Sequence, residues 1–439
     1  MALATLAALP LLPLGPAPRA QARGQLITRD EAARWGLVRE WFAQIPVDPA
    51  LSRVNRWKLY FGTLYSVSDS GLVTALDAET GRALWTKQVG RTGFPAFGPG
   101  VNAKYIGIVS GAKLYMLENA TGRLVWARDL GSAPASGPAL SRTHAYVALA
   151  TGRIEGYPLD EPEKQPWFYQ SSGRTFNQPT TTGSVVSWPT STGSLYDCKA
   201  DKPAVEFRTD TGEEIVTDPA ESEPWLYFAS LDGYLYCVDE RTGREAWRYA
   251  TGFPITSSPA IVGKRAFVAS LEPALHVVDS EQGDEQWVAV GASHFAAQGK
   301  ERVYASDRYG NLLILDGKTG RRLGGIRSAE GLETIVNDQN DRIYLANSVG
   351  LVQCLREEGA EKPTPYRKSF EAGVAAEEAA AAKKKEPSTG ASPFEESGEP
   401  ASAPDAVAKE QAEAPAEEKP AEEAPAEAPA KNANPFEDF

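Results

Sequence analysis

The chain is short of the residue types from which most active sites are built. Its 439 residues include only three cysteines, three histidines and two methionines. Cys198, Cys237 and Cys354 stand in separate stretches and are never adjacent. His144, His276 and His294 have no ligand spacing between them, and a metal needs converging ligands, so the sequence offers no zinc or iron site. There is no Gly-x-Ser-x-Gly elbow, no phosphate loop and no dinucleotide fingerprint. No apolar run reaches the ~18–20 residues of a membrane span. Basic charge is also scarce. The net charge is −13, and residues 371–439, with 17 acidic and 6 basic side chains, carry −11 of it. The remainder is near neutral, which leaves no concentrated basic face for nucleic acid.

What the chain has is repetition. Ala75-Leu-Asp77-Ala-Glu-Thr80-Gly81-Arg-Ala-Leu-Trp85 recurs about every forty residues. Close copies are Met116–Trp126, with Thr121-Gly122, and Cys237–Trp247, with Asp239 and Thr242-Gly243. Another runs Val277–Trp287 with Asp279 and Gln282-Gly283. Ile314-Leu-Asp316-Gly-Lys-Thr319-Gly320 keeps the turn but has Gly324 where Trp belongs. Degenerate copies lie near Leu159-Asp160 with Trp167, near Tyr196 with Phe207, and at Cys354-Leu355, making eight from Gly71 to Leu355. A fixed period of this length signals stacked or radial supersecondary units.

Each copy follows an alternating β-rich run, such as Leu64–Ser68, Leu226–Ser230, Arg302–Ser306 or Arg342–Ala346. Turn dipeptides such as Asp232-Gly233 connect that run to the strand ending in Asp. The Thr-Gly turn comes next, with Gly supplying a positive φ and Asp or Thr bonding the turn backbone. A strand carrying Trp follows, and then a further strand, as in Ile255–Val262. Four short strands, tight turns and no helix read as one propeller blade. The spacing puts the small residue (Ala75, Cys237, Cys354) and the Trp on one face of a hairpin. From there Trp85, Trp126, Trp167, Trp247 and Trp287 can lie across the turn of the neighbouring blade and bury a large apolar area. Trp35 falls outside the repeats, and its loss is expected to cost much less. Asp77, Asp239, Asp279 and Asp316 occupy one place in successive copies, so each is expected to cap its own turn rather than join a catalytic group. Gly81, Gly122, Gly243, Gly283 and Gly320 complete those turns.

This motif resembles the tryptophan-docking motif of pyrroloquinoline-quinone-type propeller repeats, over roughly residues 37 to 357. WD-type repeats share the period but end on Trp-Asp, absent from every copy here. The resemblance implies one all-β, eight-bladed propeller of four-stranded blades. Two groups share it, the quinoprotein alcohol dehydrogenases and the BamB-type scaffold of outer-membrane assembly. Eight copies in about 320 residues look more like the second. The dehydrogenases carry a Ca²⁺ site and usually a disulfide between adjacent cysteines, and neither is evident. No catalytic, cofactor or metal residue is therefore assigned. Cys237 and Cys354 read as substitutes for Ala beside a docked Trp. A Cys198–Cys237 bridge would need two strands within ~7 Å at Cα.

An open ring would leave unpaired strand edges. Residues 37–45, containing Trp41, read like the last strand of a repeat and are expected to close the eighth blade. Pro365 to Phe370 is the rival closing strand. Met1–Pro18 is apolar and Ala20-Gln21-Ala22 is a small-x-small cleavage pattern, so residues 1–22 read as a signal peptide and 23–36 as a leader. No Lys or Arg precedes the apolar stretch, and no Cys near the cleavage pattern could take a lipid. Residues 358–439 are Ala, Glu, Pro and Lys and are expected to be a disordered acidic tail. Two Pro-Phe-Glu islands interrupt it, around Phe394 and at Asn434-Pro435-Phe436, and look like short docking peptides. The expected function is a non-catalytic, monomeric scaffold of the periplasm or envelope that binds another protein. The alternatives are a quinone-dependent dehydrogenase and a small-ligand binder using the central channel.

Overall fold

The computed structural model describes residues 26–182, 185–327 and 331–367. They form eight four-stranded antiparallel sheets, each consecutive in sequence except the last. Blade 1 spans Val54 to Gln88, blade 2 Ala96 to Asp129, blade 3 Ala139 to Gln170 and blade 4 Thr180 to Asp210. Blade 5 spans Ala220 to Ala250, blade 6 Ala260 to Val290 and blade 7 His294 to Ile326. Blade 8 takes three strands from Glu333 to Glu357 and its outer strand, Leu37–Gln44, from the other end of the sequence. The chain is an eight-bladed β-propeller.

That outer strand pairs antiparallel with Leu351–Glu357 from Leu37↔Glu357 to Gln44↔Leu351. A register shift between Arg39 and Trp41 places Trp41 opposite Cys354. The rival candidate does not extend a sheet in this way. Of its described residues, Pro365 makes one isolated bridge to Asn340. The one described helix, Arg29–Ala33, precedes the closing strand and is capped by the Thr28 hydroxyl, which accepts from Glu31 N at 3.2 Å.

The core is a ring of eight clusters, one at each junction between neighbouring blades. Second and third strands supply most of each cluster, because both their faces are covered. The smallest cluster lies between blades 4 and 5 and has six fully buried residues, Leu195, Ile215, Leu226, Phe228, Tyr236 and Val238. Connectivity defines two faces. Loops from an outer strand to the next inner strand open on the upper face. Asp-x-x-Thr-Gly turns and turns between inner and second strands lie on the lower face.

The signal-peptide stretch and the tail, including Phe394, Asn434, Pro435 and Phe436, lie outside the described residues.

Candidate functional site

The repeated tryptophans sit in outer strands, each opposite a residue of the third strand: Trp85 faces Ala75, Trp126 Met116, Trp167 Gly156, Trp247 Cys237 and Trp287 Val277. Each indole N–H donates to a backbone carbonyl of the following blade. The acceptors are Asn119 O (2.9 Å), Leu159 O (3.1 Å), Ala200 O (3.2 Å), Ser280 O (3.2 Å) and Gly317 O (3.2 Å). Trp41 makes the same bond across the closing junction, to Ala78 O at 3.0 Å. The ring edge thus meets a polar backbone group while its face covers the turn, which suits an indole.

The turn glycines are required twice over. Gly81, Gly122, Gly243, Gly283 and Gly320 have φ between +67° and +77°. A Cβ on them would also overlap the ring of Trp41, Trp85, Phe207, Trp247 and Trp287 respectively. The aspartates saturate their own turns. Asp77 Oδ1 accepts from Thr80 N and Thr80 Oγ1, both at 2.8 Å, and Asp239 and Asp316 repeat the pattern with Thr242 and Thr319. Asp279 accepts from Glu281 N at 2.9 Å and Gln282 N at 3.0 Å. Those hydroxyl bonds hold the Asp239 and Asp316 carboxyls below their ordinary range. The four carboxylates lie in four different blades, so no pair of them shares a site.

Sequence reasoning did not assign the tyrosines of the second strands. The Tyr344 hydroxyl donates to Ala78 O at 3.2 Å, Tyr146 to Ala200 O at 2.9 Å and Tyr227 to Ser280 O at 2.9 Å. Each is the same carbonyl that the docked indole uses. Tyr65 donates instead to the side-chain carbonyl of Asn119. The recurrent Tyr in Leu64-Tyr65, Leu226-Tyr227, Val303-Tyr304 and Ile343-Tyr344 was the available signal.

Two junctions depart from the pattern. At blades 7 and 8 no Trp stands opposite Ile314, where Gly324 pairs with it. Trp35, from the segment before the closing strand, lies in the space a Gly324 side chain would fill, and packs on the cluster containing Ile314 and Ile326. Its carbonyl accepts from Arg302 Nη1 at 2.7 Å. Trp35, expected to cost much less than a repeat tryptophan when removed, thus occupies a repeat position without belonging to a repeat. At blades 4 and 5 the three positions Tyr, small residue and Trp become Ser187, Asp197 and Phe207. Asp197 is fully buried, accepts from Ser187 Oγ at 2.6 Å through Oδ2, and leaves Oδ1 without a partner. Burial, reinforced by the Glu240 carboxylate, pushes its carboxyl up to about 7. Glu240 Oε2 is also buried without a partner.

All three cysteines are free and buried. Burial pushes the Cys198 and Cys237 thiols up to about 12, away from the reactive thiolate form. Among the described residues no group of three or more His, Cys, Asp or Glu comes together to hold a metal ion.

The axis of the ring is polar. Upper ends of the inner strands and the loops leading to them line a recess of about 300 Å³, with Phe97, Phe176, Asn177 and Gln178 in its wall. Arg56 of blade 1 pairs with Asp218 at the start of blade 5, at 3.0 Å. In an eight-bladed ring these blades are diametrically opposed, so the ion pair spans the axis. Gln178 Nε2 donates to Pro138 O at 2.6 Å and Pro99 O at 3.2 Å, and Gln178 N to Asp218 Oδ1 at 3.0 Å. At the lower end, Arg367 pairs with Asp338 of blade 8 at 3.1 Å and donates to Glu221 O of blade 5 at 2.8 Å.

Residues 202–352 match the family described as outer membrane protein assembly factor BamB. The crystal structure of BamB from Moraxella catarrhalis superposes with a TM-score of 0.60 at 18% identity, over 73% of this chain and 99% of that one. The chain is a BamB-like β-propeller built from PQQ-type repeats. The computationally designed Ika8 protein (TM-score 0.57, 14% identity, 71% and 98% covered) is also similar. So is the C-terminal WD40 domain of Sif2 (0.57, 11%, 70% and 97%). These two share the propeller shape, while the docking tryptophans and Thr-Gly turns carry the BamB-like repeat. No curated protein matches the chain by sequence. Among the described residues no helix is long and apolar enough to cross a membrane.

Proposed function

We propose that this chain is a non-catalytic protein-binding scaffold of the bacterial cell envelope, acting from the periplasm as a monomer. The observation that carries the reading is the upper face. Loops there expose Phe94, Phe176 and Phe253, each 52% accessible, with Leu271 at 62% and Tyr309 at 69%. Large apolar side chains presented in water on rigidly held loops are the anchors that protein partners bury. Among the described residues, the repeat's aspartates are taken up by their own turns. The likeness to the BamB family supports an envelope setting and a protein partner. On this reading Phe394 and Phe436 of the tail are secondary contacts that raise the partner's effective concentration.

The test is a pull-down from envelope extract with the full-length chain. Phe94→Ser, Phe176→Ser and Phe253→Ser combined should abolish recovery of a partner that wild type retains. Leu84→Ser with Phe168→Ser, on outer strands, should not. Equal recovery by both variants would remove the upper face from the proposal.

A further inference from the structure

The exposed side chains of Phe253, Leu271 and Val290 share one backbone support on the upper face. It is the turn Leu271-Glu272-Pro273, between the second and third strands of blade 6. Leu271 N donates to Pro254 O at 2.8 Å, next to Phe253. Gly291 N, next to Val290, donates to Pro273 O at 2.6 Å. The loops on either side are thus tied to this turn.

Beneath the turn a hydrogen-bonded chain crosses the junction of blades 5 and 6. The Tyr249 hydroxyl, from the outer strand of blade 5, donates to Glu285 on the outer strand of blade 6. Its oxygen lies 3.0 Å from His276 Nδ1, and His276 Nε2 lies 3.4 Å from Ser270 Oγ. Ser270 ends the second strand and donates to Glu272 O of the turn at 2.7 Å. His276 is buried, between Val268 and Val288 on the adjoining strands. Glu285 is the charged group that acts on it.

This chain is one proton short. Its two ends, the Glu285 carboxylate and the Glu272 carbonyl, can only accept. Four contacts in series between two acceptors need four protons. Tyr249 and Ser270 bring one each and a neutral imidazole brings one, which makes three. Burial, reinforced by Glu285, raises the Tyr249 hydroxyl, so it keeps its proton and gives it to the carboxylate. Tyr249 can then only accept from His276 Nδ1–H. Ser270 gives its proton to Glu272 O and turns a lone pair toward Nε2, which in that tautomer also carries a lone pair. The contact left without a proton is the longest of the four, at 3.4 Å.

We propose that His276 is a proton switch for this sector of the upper face: a proton taken up at Nε2 is donated to Ser270 Oγ and locks the Leu271–Pro273 turn to the junction of blades 5 and 6. The imidazolium keeps its Nδ1–H on Tyr249, so every contact of the chain then holds a proton. Burial lowers the imidazole's proton affinity against the opposing pull of Glu285, so the switch closes on acidification, below the ordinary histidine value of 6.5. The switch acts on the turn itself. Only its bearing on partner binding rests on the scaffold reading, and the measurement below needs no partner, so the two can fail separately.

The experiment is NMR of the full-length protein, whose three histidines give few imidazole signals. At about pH 8 His276 should be the Nδ1–H tautomer, and it should charge as the pH falls to about 5. As it does, the amides of Leu271 and Gly291 should gain about fivefold in protection from hydrogen exchange, the worth of one net hydrogen bond. The amide of Gly122, which donates to Glu118 O in a turn of blade 2, should show no such gain. Ser270→Ala should leave His276 titrating and abolish the gain, and His276→Gln should abolish it too. An Nε2–H tautomer at about pH 8, an imidazole still neutral at about pH 5, no gain at Leu271 and Gly291, or a gain that persists in folded Ser270→Ala would overturn the switch.

Discussion

The indole of Trp35 lies over the bare backbone of Gly324. At the other tryptophan junctions the outer strand of one blade gives the ring and the turn of the next receives it. Here the direction is reversed. Gly36, next to Trp35, has φ +68°, like the turn glycines, and begins the closing strand as they begin theirs. The segment before it supplies the ring, and the strand of blade 7 receives it. The first and last described strands meet in blade 8, so no continuous Asp-to-Gly turn exists there to receive a tryptophan.

Trp35→Ala should therefore destabilise the ring by about 2–4 kcal/mol, approaching the cost of Trp247→Ala. Adding Gly324→Trp to Trp35→Ala should recover part of the loss by restoring the usual direction. In the wild-type background, Gly324→Trp should destabilise, since its ring would meet Trp35. Thermal unfolding decides this: a Trp35→Ala protein that melts with wild type removes the reversed junction from the account.

Removing residues 1–45 should lower the melting temperature of the entire ring. The cut takes Trp35, Trp41 and the partner of Leu351–Glu357, leaving a sheet edge unpaired. Removing 371–439 should leave the transition where it is, because that composition offers little apolar surface to bury. If the chain beginning at Pro46 unfolds at the full-length temperature, closure by the first strand is not needed for stability.

The shared carbonyls give a smaller, separable effect. Tyr227→Phe removes one donor from Ser280 O and leaves the Trp247 bond, so about 1 kcal/mol is expected. Combined with Trp247→Phe the loss should exceed the sum of the two, because the buried carbonyl then has neither donor. A double-mutant cycle by chemical denaturation measures that coupling, and strict additivity would deny it.

Asp197 should make stability depend on pH. Its folded carboxyl sits near 7 against an ordinary 3.8, so between those values the folded chain holds a proton that the unfolded chain releases. Its contribution is full below about pH 4, declines as pH rises and is lost above about pH 7. Asp197→Asn should thus stabilise the protein at about pH 8 by roughly 2 kcal/mol, within the ~4 kcal/mol ceiling of a three-unit shift, and change little near pH 4. Glu221 is also raised to about 7, chiefly by burial, but is half open to the channel, so a weaker slope of the same sign should remain. Denaturation at the two pH values reads the difference, and an unchanged slope in the variant would mean Asp197 is ionised throughout.

The repeat itself was legible without coordinates. Strand, turn and tryptophan recur at fixed spacing because each blade solves the same local problem, and local chemistry is written locally: Asp77 binds Thr80 three residues away. Two consequences of closing the ring were not legible. Trp35 and Gly324 are 289 residues apart in sequence, and nothing in either segment names the other. Arg56 and Asp218 meet only because eight blades bring blades 1 and 5 face to face across one axis. Identity and period determine a blade. The number of blades and the pairing of the first described strand with the last determine which distant charges share the channel, because the strand twist and blade packing that set them are properties of the assembled ring.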